Sequence, residues 1–266
     1  VTLRELLSHT AGLKDPWISF LLSAYTNHGS LRDQRAAFAR KILGRRPAHE
    51  PGVRVAYTNV DYILAAVIAE RATGENWETL VHWEVFVPLG LRSAGFGPPG
   101  EKSALSEPRG HGKLRVLQLG VLGNFAFDPE SRGADYPAMA SPAGFVHLAA
   151  RDWAAYVAVQ LRAHQLNPNR EIRVWTPPMF ARLHEMKSDF GYAGGWFVET
   201  RGWAKGPRAT DTGRVLFHPG ENGRWTSAVW MAPERDFAVL VACNQGNASR
   251  GVDAIAEMLV RRFAAE

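Results

Sequence analysis

A chain of 266 residues, 46% of them hydrophobic, is long enough for one large domain or two lobes on a shared core, and too apolar to stay disordered. Its 31 basic and 26 acidic residues give a formal charge of +5 with the arginines scattered, and Arg45 and Arg46 form only a pair without aromatic neighbours, which argues against nucleic-acid binding. The longest apolar stretches, residues 62–69 and 237–243, fall short of the roughly 18 to 20 residues of a membrane span, and a single cysteine, Cys243, excludes an internal disulfide.

In chain order, Thr2 followed three residues later by Glu5, ahead of Leu6 and Leu7, is a capping-box pattern that predicts a short helix closed by Gly12. No basic run or cleavage site at Val1 marks a targeting segment. Helical spacing predicts a second helix over residues 31–43, and Pro51-Gly52 a turn. From Asn59, the expected N-cap, Val60, Ile63, Leu64, Val67 and Ile68 recur at helical spacing up to Gly74, which is placed for a left-handed cap. Asn76 is placed to cap a further helix reaching Phe86, with Pro88 and Gly90 ending it. Residues 97–142 hold many glycines and prolines with little periodicity, predicting a loop-rich surface excursion suited to a lid or specificity region. Helices over residues 148–163 and 177–185 follow.

After residue 190 the pattern turns to short runs rich in aromatic and β-branched residues, predicting strands at residues 195–200, 215–218, 226–232 and 237–243. A last helix over residues 252–263 is expected to cover the sheet with Ile255, Met258, Leu259 and Phe263. The run 237–243 is apolar on both alternating faces, which predicts an interior strand covered by helices on both sides and paired along both edges. The turn at 233–236 brings one partner; no other run supplies the second, which points to strands ahead of residue 1.

Three features carry chemistry: Ser8-His9-Thr10-Ala11-Gly12-Leu13 at the start, Tyr57-Thr58-Asn59 between a turn and the best helix, and His218-Pro219-Gly220 followed by Glu221-Asn222-Gly223. With them the chain resembles the class C β-lactamases, DD-peptidases and esterases of one serine-hydrolase family. The resemblance runs through LRELLSHTAGL at residues 3–13, Pro51 to Gly74 with its Tyr-x-Asn, Val87-Pro88-Leu89-Gly90-Leu91, Ser141-Pro142-Ala143-Gly144 with Arg151-Asp152-Trp153, and His218 to Gly223 as a histidine form of the Lys-Thr-Gly strand. Any one of these is weak; five in the right order are specific. The implied architecture is a single α+β domain over residues 1–266 of β-lactamase/transpeptidase type, with its N-terminal strands missing. A mostly helical lobe would span residues 1–189, and residues 190–266 would form an antiparallel sheet flanked by helices.

The resemblance implies that Tyr57 is the general base and acid of acyl transfer, working with a lysine. Asn59 would bond the substrate amide, and His218 would orient the substrate and support Tyr57. The backbone N–H of Glu221, just after Gly220, would be one oxyanion donor. The bland alternatives are a helix-entry aromatic for Tyr57, an N-cap for Asn59 and a bonded strand histidine for His218. Ser8 and His9 read as structural, and Pro219 as a sign of an edge or bulge that puts carboxylate recognition in doubt. The histidines show no metal-ligand spacing, so no metal or cofactor is expected.

The family nucleophile and lysine stand together as Ser-x-x-Lys. Here Lys14, Lys41, Lys102, Lys113, Lys187 and Lys205 follow, at three residues' distance, Ala11, Phe38, Pro99, Gly110, His184 and Gly202, so the chain holds no such motif. Without that lysine Tyr57 is expected to stay protonated, because bringing a phenol from about 10 to about 7 takes roughly 4 kcal/mol. The expectation is therefore a serine hydrolase acting on a β-lactam, a D-Ala-D-Ala peptide or a small ester, inactive as this chain. The rival is a non-catalytic binding or regulatory relative. They part on the coding sequence ahead of Val1, where the resemblance implies Ser-x-x-Lys about 30 to 50 residues before Thr2. Family members are commonly exported or held at the cell envelope, and cytoplasmic esterases occur too; nothing fixes the oligomeric state.

Overall fold

Thr2 starts α1 (Leu3–Leu7) as the sequence predicts: its hydroxyl accepts the Glu5 N–H and the Glu5 carboxylate accepts the Thr2 N–H, at 3.3 and 2.7 Å. The computed structural model describes residues 1–14, 16, 29–102, 106–116, 120–131, 133–162, 176–185 and 191–264. Ser30 caps α2 (Leu31–Leu43). In α3 (Asn59–Thr73) the cap is Thr58, whose hydroxyl accepts the Val60 N–H at 3.2 Å, and Asn59 is already helical. The expected Asn59 cap is thus one residue off: extended backbone persists through Thr58 because the preceding segment is bonded to the turn after α1. Gly74, at φ +83°, closes α3 as expected. The buried face of α3, Val60, Ile63, Leu64 and Val67, meets Leu6, Phe38 and Ile42 in one apolar core.

Asn76 caps α4 (Trp77–Val81), which runs on through a wider turn at His82–Phe86 and past Pro88 to Gly90. The excursion 97–142 is less loop-like than expected. It holds an antiparallel hairpin of β2 (His111–Val116) and β3 (Gly120–Ala126), while β1 (Gly95–Phe96) pairs with β4 (Val146–His147). Glycines at 112, 120 and 123 interrupt the alternation that reveals a strand in sequence. After α5 (Ser141–Gly144) comes α6 (Ala150–Leu161), Ala163 lying outside the described residues, and then α7 (Pro177–His184), capped by Thr176.

The main sheet is antiparallel in chain order: β5 (Tyr192–Ala193), β6 (Trp196–Thr200), β7 (Arg214–Glu221), β8 (Thr226–Ala232) and β9 (Phe237–Cys243). Alternation sends Leu216, Val229, Met231 and Leu240 to α6 on one face. Ala228, Val239 and Val241 go to α8 (Ser249–Phe263) on the other. Thus β9 is apolar on both faces because a helix covers each. Among the described residues β8 is its one strand partner, in line with the expectation that no other run of this chain supplies the second. The expected face of α8 is corrected. Val252, Ala256 and Val260 meet the sheet at i, i+4, i+8 spacing, while Ile255, Met258 and Phe263 are about half exposed and only Leu259 of the expected set packs inward. Small Ala256 lets the helix approach Ala228 closely, and larger side chains are turned away. No helix among the described residues is long and apolar enough to cross a membrane.

Candidate active site

The turn after α1 builds the first half of the site. His9 takes a positive φ of 54° and its carbonyl accepts the Ala56 N–H at 2.8 Å. The Thr10 and Gly12 carbonyls accept the N–H groups of Gly52 and Ala48 at 2.8 and 2.7 Å. Gly12 is required there, since its φ is +69° and a side chain would run into the His49 carbonyl. These bonds leave Tyr57 fixed between a bonded Ala56 and the capping Thr58. The His9 side chain, 1% exposed, donates from Nδ1 to the equally buried Asp61 carboxylate at 2.9 Å. Its ring lies 4.3 Å from that of Tyr57, 4.6 Å from Tyr192 and 5.2 Å from Tyr62.

The sheet supplies the second half. Pairing of β6 with β7 ends at Phe197–Phe217, so from His218 onward β7 is held by β8 on one side only. Pro219, expected at an edge or bulge, therefore sits in a strand that is interior over its first half and an edge over its second. His218 donates from Nδ1 to the Pro219 carbonyl at 2.6 Å, and the Tyr192 hydroxyl lies 3.2 Å from Nε2. Burial holds the imidazole below its usual range, the Pro219 carbonyl partly offsets this, and the charge of His9 adds to the lowering. His218 is neutral at pH 7 and accepts the Tyr192 proton at Nε2.

The two halves meet. The Tyr57 ring is 6.1 Å from those of His218, Tyr192 and Phe197. One side of Tyr57 is packed while 47% of the residue remains open to solvent, and burial of the packed side pushes its hydroxyl above the usual phenol range. Asn59 is half-buried on the first turn of α3, two residues from Tyr57. Gly220 pairs with Ser227, and any side chain on it would strike the Ser227 hydroxyl, so the close approach of two strands explains that glycine. Glu221 ends β7 with its carboxylate spent on the following turn. It accepts Gly223 N–H at 2.7 Å, Thr226 hydroxyl at 2.8 Å and Asn247 N–H at 2.9 Å. Tyr136 reaches the Glu221 carbonyl at 3.4 Å and brings the excursion to the same strand end.

Sequence reasoning missed Tyr192, Tyr62, Asp61 and Tyr136. Asp61 and Tyr62 lie within one helical turn of Asn59 but read there as ordinary helix residues, and Tyr192, on a two-residue strand, carried no signal. A cavity of about 270 Å³ under α8, lined by Trp203, Trp230, Ala256 and Val260 among others, holds none of these groups. Lys187 lies outside the described residues. No three His, Cys, Asp or Glu side chains gather for a metal among the described residues.

A family model described as Beta-lactamase matches residues 1–262. Penicillin-binding protein 4* of Bacillus subtilis is 31% identical over 91 residues, covering 34% of this chain and 20% of its own length. Among solved structures, a penicillin-binding protein from Bacillus halodurans superposes with a TM-score of 0.68 at 19% identity, covering 97% of this chain and 72% of its own. The D-amino acid amidase of Ochrobactrum anthropi SV3 superposes at 0.66 and 18% identity, covering 100% and 72%. At such identities the structures speak for the fold alone, and this chain spans about one fifth of the curated relative.

Proposed function

Because the chain belongs to the beta-lactamase family, we propose that it carries the substrate-orienting half of a serine-hydrolase site for small amides or esters. In this reading Tyr57 moves the proton between nucleophile and leaving group. Asn59 bonds the substrate amide, His218 orients the substrate beside Tyr57, and the Glu221 N–H after Gly220 stabilises the oxyanion. One observation carries it: a phenol and an imidazole from distant parts of the chain lie 6.1 Å apart on a face that solvent reaches.

The same chain on its own is proposed to be catalytically silent. It contains no Ser-x-x-Lys, and the raised Tyr57 hydroxyl remains protonated at neutral pH. The missing motif also favours a second reading, a non-catalytic relative that binds the same ligands. A penicillin-related or D-peptide substrate and a place at the cell envelope belong to the first reading.

The purified 266-residue protein is expected to show no burst with nitrocefin or p-nitrophenyl acetate. It is also expected to bind N-acetyl-D-alanine amide, with the NMR signals of Tyr57 and His218 moving together. A stoichiometric burst would overturn the silent-chain proposal, and titration shifts confined to residues away from Tyr57 and His218 would overturn the site.

A further inference from the structure

Tyr192 was invisible in the sequence, yet its ring faces those of His9, Tyr57, Phe197 and His218. It is 3% exposed, and its ring lies 4.6 Å from His9, 4.9 Å edge-on from Phe197 and 6.0 Å edge-on from His218. Its hydroxyl lies 3.2 Å from Nε2 of His218, and the Tyr62 hydroxyl is its other polar neighbour. Tyr62 already donates its own proton to the Leu7 carbonyl at 3.1 Å. Tyr62 therefore presents only lone pairs to Tyr192. The one proton of Tyr192 thus has two acceptors, His218 and Tyr62.

We propose that Tyr192 is a positioning residue that holds His218 in both of its protonation states by turning one hydroxyl proton between His218 and Tyr62. This deepens the proposed site and rests on that reading. When His218 is neutral, Nδ1–H is bonded to the Pro219 carbonyl and Tyr192 donates to Nε2. When His218 takes a proton at Nε2, that N–H donates to the Tyr192 oxygen, and the Tyr192 proton turns to Tyr62, whose proton stays on the Leu7 carbonyl. No net proton is moved along the chain; the incoming proton stays on His218, and no bond between heavy atoms breaks. Burial keeps Tyr192 and Tyr62 well above the pH range of this change, so neither ionises. The titratable groups facing His218 are Tyr57 and Tyr192, with His9 packed against both and bonded to Asp61; His9 comes from the turn after α1 and Asp61 from α3.

A bond to a charged donor is stronger than one between neutral groups, so the imidazolium gains more from Tyr192 than the neutral ring does. In Tyr192→Phe the His218 midpoint, read from its ring-proton NMR shift against pH, is expected to fall by about one pH unit. Tyr62→Phe removes the resting acceptor while leaving Tyr192 in place, and is expected to lower the midpoint by a smaller amount. It serves as the test should Tyr192→Phe fail to fold. A folded variant whose His218 midpoint matches wild type overturns the proposal. The titration needs no substrate, so its outcome is independent of whether the chain binds or hydrolyses anything.

Discussion

His9 and Asp61 are each 1% exposed, and their hydrogen bond stands directly behind the Tyr57 ring. Asp61→Ala strands a buried imidazole N–H. It is expected to cost about 3 kcal/mol in urea unfolding, the range for breaking a buried polar pair. Asp61→Asn keeps an acceptor and should cost about 1 kcal/mol. Equal costs for the two variants would mean the bond contributes little and His9 is held by packing alone. At this scale the site was half legible. Tyr57 and His218 stand out in sequence because each belongs to a short run in which turn, polar residue and glycine recur together. Tyr192 and Asp61 act through partners that only the folded chain supplies. Asp61 reads as an ordinary acidic residue in the first turn of a helix until the His9 turn is laid against it. Tyr192 gains its place from the register of β5 on β6 and of β6 on β7, which sets His218 beside it.

Whether Thr58 or Asn59 starts α3 decides how stability and function are divided there. The hydroxyl of Thr58 satisfies the Val60 N–H, so Thr58→Ala is expected to cost about 1 kcal/mol of folding stability. Asn59→Ala should leave the melting temperature within about 1 °C of wild type while weakening N-acetyl-D-alanine amide binding about tenfold, or roughly 1.4 kcal/mol. The reverse pattern, with Asn59→Ala the destabilising change, would return the cap to Asn59 and remove the case for its ligand role. Elements themselves were readable where one period dominates: α2 falls on residues 31–43 as predicted, and α3 ends at Gly74. Reading failed where a tertiary neighbour chooses. In α8 a large apolar residue at 255, 258 or 263 looks like core, but the sheet accepts the narrow row Val252, Ala256, Val260. The hairpin β2–β3 owes its place to the far end of the chain. His111 donates to the Asn244 carbonyl at 2.9 Å and accepts the Gly246 N–H at 2.8 Å.

Contacts distant in sequence join the excursion and the helices to the sheet. The Arg224 guanidinium donates to the Gly133 carbonyl at 2.9 Å and lies 3.6 Å over the Phe127 ring, while Asn222 bonds Asp135 at 2.9 Å. On the opposite flank His184 of α7 is hydrogen-bonded to Gln160 of α6 at 2.8 Å. Burial, aided by the charge of Arg214, pushes that imidazole down to about 4. His218 is lowered too. Both histidines therefore give the whole fold an acid sensitivity of definite sign. The unfolded chain takes up protons near 6.5 while the folded chain resists. For His184, stability is complete above that value, declines as pH falls from about 6.5 toward about 4, and changes no further below the folded value. For His184 the full interval, about 2.5 units at about 1.4 kcal/mol each, sets an upper figure of about 3.5 kcal/mol, which partial solvent contact reduces to about 2 kcal/mol. Between pH 7.5 and 5.0, where most carboxylates stay ionised, the loss from His184 should be about 1 to 2 kcal/mol by urea unfolding. His184→Gln can still bond Gln160 but does not titrate, and should flatten the pH dependence by that amount. Asp135, whose carboxyl burial pushes up, acts with the opposite sign and cancels in the comparison of the two proteins. Identical slopes for wild type and His184→Gln would mean that α7 opens before its histidine is protonated, and that α7 is not part of the cooperative unit holding the sheet.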